Sequence, residues 1–580
     1  MPETRTLPIS AEHREFTVKV NGEAIGREYQ LLSVSVIKSV NKIAGARLVY
    51  LDGTAAAGGF PLSNSDRLIP GQKIEILAGA LNDPVSLFKG MIIRQEVKTR
   101  QNSASQLIVE CRHAAFKLTV GRENAYFFDR SDSQIIEEIF KKAGIEAEVD
   151  KTNVIHPHQV QYNSTAWDFL LSRAEVNGKI ILTDDDRVKV KTPNFTGNPV
   201  CTLQYGSTIL EMDAEIDARC QYNGVKSVTW DAGRQSVVEK EAKDPDLDAP
   251  GNLSGKNLAK VTDLPFYRLQ HPALGEEEAQ AWADARWLQS KMGKVNGRIK
   301  CEGIATVNPG DLVKLSGVGD RYNGNVFVTG VRHEANLVGG WKTHIQFGTG
   351  NQWLSAERDI TAPPAAALLP GINGLQIGIV VSNEDPDGEH RVRVKMPLVN
   401  EGEEGTWARV ASVDAGNGRG FFFRPEIGDE VVLGFFNDDP RQAVILGMLH
   451  SSAKAPPLTG SDKNHRKGYQ SRSKMQFFFD DEKKTIRLET PAGNKLNLNE
   501  EKKELRLEDQ NGNKIVMNSD GIQIQSNKAI VLKVATSVTF ESSDSITIKA
   551  GNQLTLTGNA GAELSSTAIT NVKGSLVQIN

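Results

Sequence analysis

The stretch IQIQSNKAIVLKVATSVTFESSDSITIKAGNQLTL, residues 522–556, carries an apolar pair, split by one residue, that recurs every eight positions. The pairs are Ile522/Ile524, Ile530/Leu532, Val538/Phe540, Ile546/Ile548 and Leu554/Leu556. Residues i and i+2 share one face of a strand, so each repeat reads as a short strand with two apolar side chains on one side and a polar turn after it. Such a strand buries its face only by stacking on neighbours. Eight residues make too short a circuit for one chain to wrap a filled interior, so other chains must supply the remaining walls. Ordering a residue costs ~1–2 kcal/mol and a fully buried apolar side chain returns ~1.5–3 kcal/mol, so an isolated copy with a half-wet face does not offset its own ordering. The repeat therefore predicts a β-prism, an intertwined triple-stranded β-helix of three copies, with these ten residues as its core. An amphipathic edge-strand array or an aggregation-prone tail accounts poorly for five repeats in register.

Just before the octads, Ile486-Arg-Leu-Glu-Thr-Pro-Ala-Gly-Asn-Lys-Leu496 is echoed by Leu505-Arg-Leu-Glu-Asp-Gln-Asn-Gly-Asn-Lys-Ile515, each placing a Gly-Asn turn between two alternating strands. Further upstream, Ala455-Pro-Pro457 opens one linker and Thr361-Ala-Pro-Pro-Ala-Ala-Ala-Leu-Leu-Pro370 forms another. Between them lie about five short strands: Ile377–Val381, Arg391–Met396, Trp407–Val410, Glu430–Phe435 and Ala443–Leu446. That density fits a small closed barrel of the OB type.

The 580 residues suggest several domains. The expected division is a hub domain of two β-barrel modules and helices over 1–360, a linker at 361–370, an OB-fold domain over 371–454, a linker at 455–474 and the spike over 475–580. The fold class is mainly β with some helix. In the hub, strands are expected at Phe16–Val20, Gln72–Ile76 and Gln106–Cys111. Ser131 with Gln134 forms a capping box for a helix that Gly144 stops, a second helix runs from Thr165 to Asn177, and a third spans Glu276–Met292 with three acidic residues at its start. Pro70-Gly71, Ile74, Ile76 and Gly90 are echoed by Pro309-Gly310, Val313, Leu315 and Gly330, which points to two similar modules. Two modules in each of three chains would set six around an axis, matching a six-fold tube.

A net charge of −4 gives no electrostatic case for nucleic acid or an anionic membrane. The four cysteines, Cys111, Cys201, Cys220 and Cys301, lack CxxC spacing and read as reduced thiols of a chain made in a cytoplasm. The N-terminus MPETRTLPIS has no signal-peptide pattern.

In the middle block, Asp385-Pro-Asp-Gly388, Arg391-Val-Arg-Val-Lys-Met-Pro397, Trp407-Ala-Arg-Val410, Ala415-Gly-Asn-Gly418, Arg424-Pro-Glu-Ile-Gly-Asp-Glu-Val431 and Asp438-Asp-Pro440 leading to Ile445-Leu-Gly-Met448 resemble VgrG-type spike proteins of type VI secretion systems. That family is similar to the hub and spike of contractile phage tails and of extracellular injection particles. The resemblance implies a trimeric spike and hub that sits on an inner tube protein, contacts baseplate proteins, carries effectors and leaves the cell on contraction. It also implies a PAAR-type tip protein on the blunt C-terminal end, with Leu576, Val577, Ile579 and Asn580 as the contact. Lysozyme insertions and C-terminal effectors of some relatives have no counterpart here, and no His follows His465 to bind a tip metal.

Catalytic chemistry finds little footing. His156-Pro-His158 lacks a nearby third ligand and reads as surface loop; Glu276–Glu278 and Asp184–Asp186 fit a helix start and a hairpin turn. Gly416-Asn-Gly-Arg-Gly420 lacks phosphate-loop spacing. Phe421–Phe423 and Phe477–Phe479 could stack on bases, but Glu401-Gly-Glu-Glu404 nearby favours a trimer interface over nucleic acid. No nucleophile and base pair, metal set or cofactor motif emerges, so the expectation is a structural, non-enzymatic protein, with a wall-degrading effector spike as the alternative.

Overall fold

The computed structural model describes residues 15–579 apart from 55–57, 81–82, 102, 186, 246, 248–249, 272–273, 351–353, 355–362, 401 and 403. The N-terminal MPETRTLPIS segment, Asp186, Thr361, Ala362, Glu401, Glu403 and Asn580 therefore lie outside the described residues. The chain divides into two compact units, residues 1–373 with 435–440, and residues 374–434 with 441–580.

A 13-stranded sheet organises the first unit. Its first half runs in the order Leu31–Ser39, Gly45–Leu51, Ser103–Arg112, Asp83–Arg100, Lys73–Ala80, Glu15–Val20. The second half repeats that order with Ile209–Ile216, Val295–Glu302, Gly340–Phe347, Gly324–Asn336, Leu312–Ser316 and Cys201–Gln204. Two irregularities recur at matched places. The first half breaks register between Ile92 and Arg94 against Cys111 and Glu110, and the second between Val328 and Gly330 against Phe347 and Gln346. A second pair of breaks falls between Leu31 and Ser33 and between Ile209 and Glu211. The two proline-glycine turns close alike: Gly71 N–H donates to the Ile92 carbonyl at 2.8 Å, and Gly310 N–H to that of Val328 at 2.8 Å. Both glycines sit at positive φ, 100° and 92°, where a side chain would be strained.

Each half has its own core, one around Leu48, Tyr50, Phe88 and Leu107, the other around Ile299, Val313, Val328 and Ile345. The expected duplication is thus present, but its second pair of glycines does not correspond. Gly90 pairs with Ile74, whereas Gly330 follows the register break and has Arg94 as its counterpart. The outermost strands also differ, Glu15–Val20 running antiparallel to its neighbour and Cys201–Gln204 parallel.

The halves join where Leu31–Ser39 pairs antiparallel with residues 330–336. At that seam His333 is 3% exposed, with Nδ1 3.1 Å from the Thr343 hydroxyl and its ring 5.9 Å from that of Trp341. Burial, aided by the charge of Lys38, pushes its pKa down to about 3.

The helices pack against the smaller sheets of this unit. α1 (Asp132–Lys142) starts with the expected Ser131/Gln134 capping box, and α2 (Ala166–Glu175) is capped by Thr165. Trp167, Leu170, Leu171 and Ala174 are all buried, with Ile135, Ile136 and Phe140 across from them. A short α3 (Gly255–Ala259) precedes α4 (Glu276–Met292), whose bounds match the expected helix. No helix among the described residues is long and apolar enough to cross a membrane.

The second unit begins with a closed five-stranded barrel, Gln376–Ser382, Val392–Lys395, Thr406–Val410, Ala443–Met448 and Glu430–Phe435 in that order. Its core is small and aliphatic, with Val392, Val394, Ala408, Val431 and Leu433 fully buried. The family motif around Asp385 has a mechanical reason: Arg391 donates two hydrogen bonds of 2.8 Å to that carboxylate, closing the turn, and holds it well below the usual carboxylate range. Beyond the barrel, Arg466–Gln470 lies inside the segment read as linker and pairs with Gln476–Asp480, because alternation continues through Tyr469.

Because His333 stays neutral in the fold while the unfolded chain takes up a proton below about pH 6.5, stability should be intact above that pH and fall as pH drops towards 3, at up to ~1.4 kcal/mol per pH unit. Denaturant midpoints across pH 4–7 should show this slope in the native chain and a shallower one in His333→Gln; equal slopes would contradict it.

Candidate assembly surface

From residue 466 the second unit forms a seven-stranded antiparallel meander ending in Gly521–Gln525. Both Gly-Asn turns appear as expected: Gly493 and Gly512 take φ of 98° and 84°, and the flanking strands pair Ile486 with Leu498 and Leu505 with Met517. Directly opposed residues lie on the same face of a sheet. The register therefore places Phe477, Phe479, Ile486, Leu488, Leu496, Leu498, Leu505, Leu507, Ile515, Met517, Ile522 and Ile524 on one continuous apolar face. Ile522 and Ile524, read from the sequence as the first octad pair, are the last rung of a face that starts some 45 residues earlier. The upstream pairs do not share the period of eight, because hairpin turns set their spacing at nine or ten residues.

After Gln525 the described chain has no assigned strand, yet it bends at 527–528, 535–536, 543–544, 551–552, 559–560, 567–568 and 575. The period of eight is thus written in the backbone and outlasts the apolar pairs. Ser526, Ser542 and Ser566 occupy one octad position, and each hydroxyl accepts the N–H two residues on, at 3.1, 3.2 and 3.1 Å. In the last repeats Ala562/Leu564 and Thr570/Val572 hold the pair positions, and their mixed character explains why the sequence pattern fades at Leu556.

The core residues expected for the spike all face solvent in a single chain. Ile530, Val538, Ile546 and Leu554 are 47–56% exposed, and Leu532, Phe540, Ile548 and Leu556 62–77%. Ile522 and Ile524 are exposed as well, as are Leu576, Val577 and Ile579 at the end. Contiguous apolar surface on this scale marks a site of association. The phenylalanine runs extend it: Phe421, Phe422 and Phe423 are exposed, the Phe423 ring meets Tyr469 edge-on at 5.0 Å, and Phe477 lies 4.8 Å from Phe479.

The residues weighed for catalysis are placed in supporting roles. His156 belongs to the strand Ile155–Ser164, against the surface-loop expectation, and is buried with Nε2 3.1 Å from Asp132. Arg173 donates to both oxygens of Asp132 at 2.6 and 3.0 Å, Asn177 adds a bond of 2.7 Å, and Glu278 lies 3.4 Å from Arg173. Burial raises the Asp132 pKa, but hydrogen bonds from His156, Arg173 and Asn177 outweigh it and hold the group down at about 2. The network ties α1, α2 and α4 together. His158, in the same strand, is exposed. Glu276 pairs with Arg234 and Lys240, Asp184 with Lys189, and Asp185 with Lys38 at 2.8 Å. Gly416 and Gly420 sit in an exposed two-residue hairpin. The four cysteines are free thiols, and among the described residues no His, Cys, Asp and Glu group is placed to hold a metal.

Residues 10–336 match the family described as the Alg8 N-terminal domain, and residues 376–450 match the type VI secretion system/phage-baseplate injector OB domain. The chain is similar to type VI secretion system spike proteins of Pseudomonas aeruginosa. It is 23% identical to VgrG1b over 68% of this chain and 58% of that protein, and 24% identical to VgrG1a over 60% and 57%. The chain thus spans rather more than half the length of these curated relatives. Among solved structures, the 43 kDa tail protein of prophage MuSo2 from Shewanella oneidensis aligns with 58% of this chain and 98% of its own at a TM-score of 0.44 and 14% identity.

Removing one partner from a buried charge network leaves the others uncompensated, so Asp132→Ala should destabilise the helical part of the first unit by about 3–5 kcal/mol. Chemical denaturation followed by the fluorescence of the buried Trp167 would report it, and a midpoint unchanged from the native chain would contradict the network's role.

Proposed function

The chain belongs to the family described as the Alg8 N-terminal domain, and we propose that it is the structural spike and baseplate hub of a contractile injection system, acting as a homotrimer. The injector OB domain match and the similarity to type VI spike proteins support the system class. One observation carries the trimer: a row of apolar pairs from Phe477 to Leu556 that a single chain leaves facing water.

In this reading the duplicated sheet sits on the inner tube protein and meets the baseplate, while the tail winds with two copies of itself into an outward-pointing prism. Ile522, Ile524, Ile530, Leu532, Val538, Phe540, Ile546, Ile548, Leu554 and Leu556 form the dry axis. A PAAR-type tip protein caps the end around Leu576, Val577 and Ile579, and effectors travel as cargo. The protein itself performs no chemistry. Sheath contraction supplies the work, and a rod with continuous cross-chain hydrogen bonding passes it on without bending or opening locally.

Sedimentation of the purified full chain should give three copies. Ile546→Asp would place three carboxylates in the axis and should abolish that species. An undiminished trimer of the variant would overturn the core assignment.

A further inference from the structure

The joint over residues 363–373 holds an uncommon backbone. Ala365, Ala366 and Ala367 follow one another at φ of 50°, 54° and 61°, a left-handed turn closed by the Leu368 N–H, which donates to the Ala365 carbonyl at 3.1 Å. Among the described residues the other non-glycine positions at positive φ are all polar, most of them Asn or Asp, and none forms a run of three. Asn and Asp reach this region by bonding nearby backbone, which alanine cannot do. Its Cβ crowds the following carbonyl instead, at a cost of roughly tenfold in population per residue, so three in a row leave the turn about a thousandfold unfavourable unless something holds it.

The loop Phe436–Asp438 supplies the hold. It connects the barrel strands Glu430–Phe435 and Ala443–Met448, yet residues 435–440 count with the first unit. The Asp438 carbonyl accepts the Ile372 N–H at 2.9 Å, and Asn437 and Asp438 themselves take φ of 52° and 55°. Gly371 lets the two segments close, because a Cβ there would collide with that of Pro364 and lie 3.5 Å from that of Asp438. Burial runs against hydrophobicity, with Ala365 3% exposed and Leu368 75%. A segment free to choose would bury the leucine.

We infer that residues 363–371 are a strained strap, latched by Phe436–Asp438, that opens when the latch is withdrawn and lengthens the joint. Once open, the alanines return to negative φ, and Pro363, Pro364 and Pro370 favour the extended polyproline form. Nine residues in that form reach about 28 Å. The latch relaxes as well, since Asn437 and Asp438 no longer need positive φ. A pull on the joint therefore releases strain as it lengthens, and gives slack before a sheet has to open. That use under load rests on the spike reading above; the strain does not.

Hydrogen exchange at the Leu368 and Ile372 amides of the full chain reads the latch, with the barrel amides of Val392–Lys395 as internal standard. Glycine carries no left-handed penalty, so Ala365→Gly, Ala366→Gly and Ala367→Gly together should slow both amides at least about tenfold. Ala366→Val puts a β-branched residue at positive φ and should speed them about tenfold, as should Gly371→Ala through its collision with Pro364. An unstrained linker gives the opposite sign for glycine, which loosens a chain. Exchange in the glycine variant as fast as in the native chain, or faster, would overturn the strap, and so would an unchanged rate in either of the other two. Sedimentation of the same samples separates the readings: a monomer with the expected rates overturns the spike and leaves the strap standing.

Discussion

A strand whose apolar face has nothing packed against it is incomplete, and in this chain such exposure runs from Phe477 to Ile524 and continues in the apolar pairs to Leu556. Each rung from Phe477 to Ile524 presents two apolar side chains that the next rung continues but never covers, and the pairs from Ile530 to Leu556 are exposed likewise. Neither turn chemistry nor propensity removes that exposure, because a flat meander has no second layer. In the proposed assembly the covering layer is other copies, and that demand sets the symmetry of everything upstream. In the proposed trimer the duplicated six-strand order of the first unit is present three times.

Polar groups in the structure serve this scaffold. Asp132, His156 and Arg173 are buried and mutually partnered, with half-buried Glu278 beside Arg173, and the cluster ties helices together. The Asp385 and Arg391 pair closes a barrel turn. These arrangements resemble active-site clusters in composition, yet the carboxylates are held by guanidinium groups and an amide. A structural role explains their shifted pKa values without a substrate.

Much of this was legible from local chemistry. Ser131 with Gln134, Thr165, and the acidic start at Glu276 located the helices, because caps are decided within four residues. The barrel strands were found from alternation and turns, and the motifs over 385–448 fall within the matched OB domain. Long-range pairing was not legible. The equivalence of Gly90 with Gly330 failed because the hairpin from Gly71 to Ile92 is three residues longer than its counterpart from Gly310 to Val328, something only the partner strand reveals. His156 looked like a loop residue because its burial depends on Asp132 and Arg173, distant in sequence. The apolar face before Ile522 was hidden by hairpin turns that change the spacing, and the last octads by Ala562 and Thr570, whose bends continue where hydrophobicity does not.

The central claim is that residues 526–575 are ordered by partner chains. Amide hydrogen exchange on the purified full chain tests it most directly, since protection requires hydrogen bonds that one chain does not supply there. The account predicts protection across Ile530–Leu556 comparable to that of the barrel strands, lost when the assembly is dissociated. Complete exchange of that segment within seconds, in a particle that sediments as three copies, would contradict it.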